Sequence, residues 1–380
     1  MSEVARVPQL RFPEFSNEWE KNKLGNLAVI KSGISPSKYE LKTTGSLPFL
    51  KVEDLNNCRK YQFNSRVYSE SLKNSINKNS VIFPKRGAAI RLNKVRINKV
   101  AALMDSNLMA LLPNTELLNT EFLYYKIMLD GLYKIADTST IPQINNKHIL
   151  PYKLNLPILP EQQKIAAFLT AVDNKIEQLS KKQELLGEYK KGLMQQIFSQ
   201  AIRFKADDGS EFPDWEEKKL RDVAKITTGS SNREDSGLDG QYTFFDRSED
   251  IRTSDRYLFD GKAVIVAGEG SRFPPKYFEG KFDLHQRTYA IMEFVEANSK
   301  YIFYFVDKQK NYLLRYAVGS TVKSLRLPIF QKMPVSLPSL PEQTKIANFL
   351  SSIDNKIEQV GGQLDKSKQF KKALLQQMFV

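Results

Sequence analysis

One cysteine, Cys58, occurs in 380 residues, so no disulfide can form within the chain. That fits a reducing compartment, and a cytoplasmic protein is expected. Histidine is almost as scarce: His148 and His285 are the only two. With one thiol they cannot make the usual four-ligand zinc site, and in dissimilar settings they give no basis for a Ser/His/Asp triad. No run of about 18 apolar residues exists, so no transmembrane helix is expected. The stretch from Met1 to Asn17 is polar and lacks an apolar signal-peptide core. A glycine-rich phosphate loop ending in Lys-Ser/Thr is missing as well. Gly268-Glu269-Gly270 follows a strand-like run, as a nucleotide-binding turn would. A third glycine is absent, however, and Pro274-Pro275 blocks the helix that should follow. Neither Asn-Pro-Pro-aromatic nor Asp-Pro-Pro-aromatic methyltransferase motifs occur. Pro213-Asp214 with Glu216 and Lys218 resembles a nuclease motif, at a spacing too short to join those groups on paired strands. No catalytic residue, metal site or cofactor site is therefore expected in this chain.

Positive charge is plentiful: 57 Lys and Arg face 43 Asp and Glu, for a formal charge of +14. Such an excess favours a polyanionic partner, nucleic acid or an anionic membrane surface; a solvated basic surface is the bland alternative. The excess is uneven. Residues 1–158 carry 23 basic and 13 acidic side chains, whereas residues 203–337 carry 22 and 21.

The chain repeats itself. Trp19-Glu20, Leu24, Ala28, Ile30 and Gly33 return as Trp215-Glu216, Leu220, Ala224, Ile226 and Gly229, at a constant offset of 196. Pro160 to Phe198 aligns without gaps to Pro341 to Phe379 at an offset of 181, with 20 of 39 positions identical. Between these anchors the halves share little beyond Ser139-Thr140-Ile141 against Ser320-Thr321-Val322. Ends that match and bodies that diverge suit one shared partner and two different targets.

Each repeated segment reads as one long helix. Pro160 fits the first turn, where its missing N–H costs little, and Glu161 suits the positive end of the helix dipole. Ile165, Leu169, Val172, Ile176, Leu179, Leu186, Leu193 and Ile197 form a heptad seam, as do Ile346, Leu350, Ile353, Ile357, Val360, Leu364, Leu374 and Met378. Gly361-Gly362 is a weak point in the second helix. A helix lying on its own domain is the alternative to a coiled coil. If the halves are related by a pseudo-twofold axis, the helices run antiparallel and the domains sit at opposite ends of a two-helix rod. The expected divisions are residues 1–158 and 201–337 for the bodies, and 159–200 and 338–380 for the helices. The fold class is α+β.

Each body mixes strand and helix signals. Ser80–Phe83 and Lys262–Ala267 read as strands, Leu118–Leu132 and Ala297–Leu314 as helices whose aromatic faces suit a core. Leu154–Leu159 and Val335–Leu340 read as strands before the long helices. Lys85, Arg86, Arg91, Lys94, Arg96 and Lys99 fall within 15 residues that hold no acid, with Gly87-Ala88-Ala89 allowing a tight turn. Such a loop can enter a groove or track phosphates; a solvated strand face is the alternative. Arg272 and Lys276 occupy the corresponding place in the second body. The loops after Gly33 and Gly229 offer Ser35, Lys38, Tyr39 and Ser231, Asn232, Arg233. Thr140, Thr321 and Lys323 complete the candidate DNA contacts.

The doubled Trp-Glu…Leu…Ala…Gly opening and the doubled Leu-Pro-Glu-Gln…Lys-Ile-Ala…Phe-Leu…Asp-Asn-Lys-Ile-Glu closing resemble the specificity subunit of type I restriction–modification systems, over almost the whole chain. The resemblance implies two α/β target-recognition domains and an antiparallel pair of helices. It implies a non-catalytic subunit that binds a bipartite, asymmetric duplex DNA target. Two modification subunits carrying the S-adenosylmethionine chemistry would bind it, and restriction subunits using ATP and Mg2+ would join them; no membrane is involved. Pro160, Glu161, Gln162, Ile165, Leu169, Asp173 and Ile176 would form scaffold and partner-binding surface, as would Pro341, Glu342, Gln343, Ile346, Leu350, Asp354 and Ile357. Base contacts cannot be carried over, because the bodies are the part that varies. A self-contained DNA-modifying enzyme and a scaffold that binds only protein are the competing classes.

Overall fold

The computed structural model describes residues 7–137, 141–248 and 250–380. The chain divides into two compact units, Met1–Leu179 with Gln363–Val380, and Ser180–Gly362. The division cuts both long helices, which span Leu159–Phe198 and Leu340–Met378. Each long helix thus contributes one part to each compact unit. The reason is packing: the helix ends are part of each body's core.

In the first unit a five-stranded sheet runs in the order Ala28–Ser32, Leu108–Pro113, Val81–Pro84, Arg96–Asn98, Tyr61–Gln62. A three-stranded sheet of Tyr68–Ser69, Leu47–Leu50 and Leu103–Met104 lies beside it in the order given. The helix Thr120–Asp130 starts at Asn119, whose side chain accepts from the amides of Glu121 and Phe122, and stops at Gly131, where φ is +82°. Its Phe122 and Tyr125 are fully buried with Trp19, Ile165, Leu169, Leu374, Met378 and Phe379. The ring of Phe122 lies 4.9 Å from that of Phe379.

The second unit holds a six-stranded sheet in the order Lys225–Thr228, Thr288–Met292, Phe259–Ala267, Lys276–Leu284, Tyr242–Phe245, Arg252–Ser254. The aromatic segment expected as one helix is two, Ser299–Lys308 and Lys310–Tyr316, the first capped by Asn298. Tyr301 and Phe305 are buried with Met194, Ile197, Ile346 and Leu350. In both units the aromatics of the body helix are core, as their spacing suggested.

Each body is closed by an antiparallel strand pair just before its long helix: Glu20–Lys23 with Lys153–Leu156, and Glu216–Lys219 with Pro334–Leu337. The glycines that follow the next strands are required. A Cβ on Gly33 would lie 1.9 Å from the carbonyl oxygen of Asp105, and one on Gly229 would lie 1.6 Å from that of Leu284. The helix through Gly361-Gly362 is unbroken. Among the described residues, no helix is long and apolar enough to cross a membrane.

Candidate nucleic-acid interface

The repeated motifs build the same junction twice. Glu161 is fully buried and takes a two-point bond from Arg11, Nε to Oε1 and Nη2 to Oε2, both 2.7 Å. Glu342, equally buried, takes the same pair from Arg203 at 3.2 and 2.9 Å, with Trp215 Nε1 adding a third donor at 3.1 Å. Gln162 accepts from the amide of Asn119 and donates to the carbonyls of Leu117 and Pro157. Gln343 repeats this with Asn298, Glu296 and Pro338. Gln162 and Gln343 therefore lock the start of each long helix to the cap of its body helix, and Glu161 and Glu342 tie it to the segments of Arg11 and Arg203.

About three turns further on, Asp173 accepts from the Tyr125 hydroxyl at 2.7 Å and pairs with Lys371 at 2.6 Å. Asp354 accepts from Tyr304 at 2.7 Å and pairs with Lys190 at 2.5 Å. Burial first, and the carboxylate after it, push the Tyr125 hydroxyl far above its usual pKa, so it stays a donor. The two ion pairs exchange under the 181-residue offset of the repeat. Within the first unit, Lys371 near Asp173 and Leu374, Met378 and Phe379 near Leu169 and Ile165 give the helices opposite directions.

These contacts assign part of the expected scaffold and partner-binding set to the scaffold. Glu161, Gln162, Ile165 and Leu169, like Glu342, Gln343, Ile346 and Leu350, are buried inside their own units and present no surface to a partner subunit. Pro160 and Pro341 are exposed, and Asp173, Asp354, Ile176 and Ile357 are half-buried. Arg11, Arg203, Asn119 and Asn298 carry no expected role in the sequence, and Tyr125 and Tyr304 are expected there only as core aromatics. A signal existed. Leu10-Arg11-Phe12 returns as Ile202-Arg203-Phe204 at an offset of 192, and Asn119-Thr120 with Tyr125 returns as Asn298-Ser299 with Tyr304 at an offset of 179. Insertions and deletions between these marks hid them from a search at fixed spacing.

Part of the candidate DNA contacts falls on one corresponding loop in each body. In the first, the Lys85 amide donates to Asn107 O, the Ile144 amide to Lys85 O, and Arg86 bridges Gln143. In the second, the Gly268 amide donates to Arg287 O, the Leu325 amide to Gly268 O, and Glu269 pairs with Ser324. Arg86 and Glu269 thus hold corresponding positions, followed by Gly87 (φ +80°) and Gly270 (φ +151°). Pairing of Gly270 with Lys323 brings Lys323 and the nearby Thr321 to the loop of Arg272. Thr140 lies outside the described residues.

The basic stretch splits in two. Arg96 donates to the carbonyls of Cys58 and Val95, Lys94 to Asn56, and Lys99 pairs with Glu121. Arg86 and Arg91 stay exposed and Lys85 half-exposed, and none of the three forms an ion pair among the described residues. Burial first, and Arg86 second, lower the pKa of Lys85. Of the loop candidates, Ser35 bonds Ser37 and Lys38 is exposed, but the Tyr39 ring packs on Phe49 and its hydroxyl reaches Lys73 O. Ser231 is fully buried and donates to Asp283 at 2.6 Å, so it cannot reach a base. Asn232 accepts from Gln286, Arg233 and Arg272 are exposed, and Lys276 donates to Ser248 O. Glu269 gathers two cations absent from the sequence reading: Arg247 donates to its Oε2, and Arg287 donates to its Oε1 at 2.7 Å.

A family model described as the type I restriction modification DNA specificity domain matches residues 16–186 and again residues 213–366. The chain belongs to that family, with one such domain for each half of the repeat. The specificity subunit of the type I restriction enzyme EcoDI from Escherichia coli is 31% identical over 166 residues, 43% of this chain and 37% of that protein. That of MjaVIII from Methanocaldococcus jannaschii is 25% identical over 384 residues, covering 92% of this chain and 88% of the relative. Among solved structures, a type I restriction–modification S subunit from M. genitalium superposes with a TM-score of 0.66 at 15% identity, over 98% of this chain and 99% of that one. A structure described in terms of complex assembly and conformational transition of the type I system gives 0.57 at 15% identity, over 94% and 96%. At such identities the two structures establish a shared fold.

Proposed function

We propose that the chain is a non-catalytic reader of a bipartite, asymmetric duplex DNA target, one half read by the loop end of each body. The observation that carries this reading is the contrast within the repeat: junctions built on the same bonds, and loop ends of different chemistry. The outer faces of the two repeated helices, held alike by these buried junctions, suit attachment of two copies of one partner, a modification subunit that supplies S-adenosylmethionine chemistry. Restriction subunits using ATP and Mg2+ join that assembly, in the cytoplasm. This chain's residues supply positioning: Lys85, Arg86 and Arg91 in the first body, and Arg233, Arg272, Lys323 and Thr321 in the second, meet DNA phosphates and base edges.

The test is binding of the purified chain to duplex DNA at moderate salt, alone and with modification subunits. Specific binding that strengthens with those subunits is expected, weakening steeply as salt rises because phosphate contacts release counterions. Transfer of a labelled methyl group from S-adenosylmethionine by the chain alone would sink the non-catalytic reading. Failure to bind DNA in either form would leave a protein-binding scaffold.

A further inference from the structure

We propose that Arg247 and Arg287 are the base-reading pair of the second body, and that Glu269 is the residue that positions them. The assignment rests on the DNA-reading function proposed above and deepens it. Glu269 sits where the first body carries Arg86, on the loop whose backbone bonds are the same in both bodies. The charge at that position is therefore reversed. The first body presents a cation from the loop itself. The second uses an acid there to hold two cations from neighbouring loops, Arg247 after the strand Tyr242–Phe245 and Arg287 in the turn between Lys276–Leu284 and Thr288–Met292.

The side chain of Glu269 is 18% exposed, against 46% for Arg247 and 58% for Arg287. The carboxylate is thus inside and the guanidinium groups outside. Each arginine gives Glu269 one Nη1–H, and each guanidinium has five donors, so most of the fork remains for a ligand. Stability does not explain the arrangement, because ion pairs this exposed add little to it. Preorganisation does: two long side chains ordered in advance lose less freedom when they bind. The turn is fixed too. His285 Nδ1 accepts from the Arg287 amide at 3.0 Å, and the Gln286 side chain donates to Asn232 at 2.6 Å. A fixed arginine fork matches the O6 and N7 acceptors of guanine in the major groove.

The experiment uses the full chain assembled with its modification subunits and maps every methylated site on a long natural DNA. Arg287→Ala and Arg247→Ala should each relax one base position in one half of the target, with about a 5- to 150-fold loss of discrimination there. The other half should be unchanged, which also reports an intact assembly. Glu269→Gln should relax the same positions more weakly. Arg287→Lys keeps the charge and the stem but not the fork; it should behave as the alanine variant does, and it supplies the comparison if that variant fails to fold. An unchanged sequence requirement, or methylation weakened equally at all sequences, overturns the assignment. If the unaltered assembly methylates without sequence preference, the DNA-reading function falls first, before any variant is compared.

Discussion

Set side by side, the junction and the loop end of each unit behave in opposite ways across the repeat. At the junction, Arg11–Glu161, Gln162–Asn119, Tyr125–Asp173 and Asp173–Lys371 recur bond for bond as Arg203–Glu342, Gln343–Asn298, Tyr304–Asp354 and Asp354–Lys190. At the loop end the backbone bonds recur, but Glu269 stands at the position of Arg86 and Arg287 at that of Asn107. The lesson is that one scaffold holds its buried polar contacts constant while the exposed side chains on the same frame change freely. Buried ion pairs tolerate no partial change, because removing one partner strands a charge; exposed ones impose no such restraint.

The largest effect should come from making both halves identical. In a fragment of residues 1–200, Leu374, Met378 and Phe379 are missing from the first unit's core, yet their repeat counterparts Leu193, Ile197 and Phe198 are present. Two copies can therefore complete each other, with Asp173 of each facing Lys190 of the other. With modification subunits such a dimer should recognise an inverted repeat of the first half-site, because twofold protein symmetry demands it. The mass in solution and a map of methylated sites decide the matter; a monomer, or a target that is not an inverted repeat, removes the equivalence drawn here.

Breaking one junction comes next. Arg11→Ala leaves Glu161 buried and uncompensated, and should cost about 3–5 kcal/mol in urea unfolding of the first unit. Arg203→Ala should cost less, because Trp215 still donates to Glu342. Equal costs would show that the third donor adds nothing.

Smaller still is the change at the first loop end. Reversing Lys85, Arg86 and Arg91 to Glu should abolish DNA binding through the first body and leave folding intact, since none of the three forms an ion pair among the described residues. Charge-neutral replacement of one at a time should lower the slope of log affinity against log salt by about one per lost phosphate contact. Unchanged affinity after the triple reversal makes this loop a merely solvated face.

The smallest effect is one of pH, in the second body alone. Burial first, and Arg247 after it, hold His285 below its ordinary value of 6.5. The unfolded chain then takes up the proton before the folded one does. Stability of the second body should therefore be full above 6.5 and decline as pH falls below it, because the unfolded state binds more protons in that range. His285→Asn should flatten that decline in unfolding curves taken between about pH 7 and pH 5.5. The same slope in both proteins would place the pH dependence elsewhere.

The sequence by itself determined the repeat, the two long helices, the strands before them and the aromatic core faces, because periodicity and near-identity at fixed spacing are local properties of the chain. It also isolated the acid-free stretch from Lys85 to Lys99. Only the tertiary structure decided which of those cations are free: Arg96 is bound by the Cys58 carbonyl and Lys94 by Asn56, partners about 38 residues away in sequence. It alone gave Glu161 and Gln162 to the scaffold and not to a partner-binding surface, because the charge that neutralises Glu161 is Arg11, 150 residues earlier. Ser231 moved from base reader to core for a similar reason, its hydroxyl meeting Asp283 from a distant strand. Glu269 with Arg247 and Arg287 could not be read from sequence, since three separate loops meet only after the sheet has formed. Burial and pairing depend on contacts between distant segments, and a linear pattern holds no record of which segments will meet.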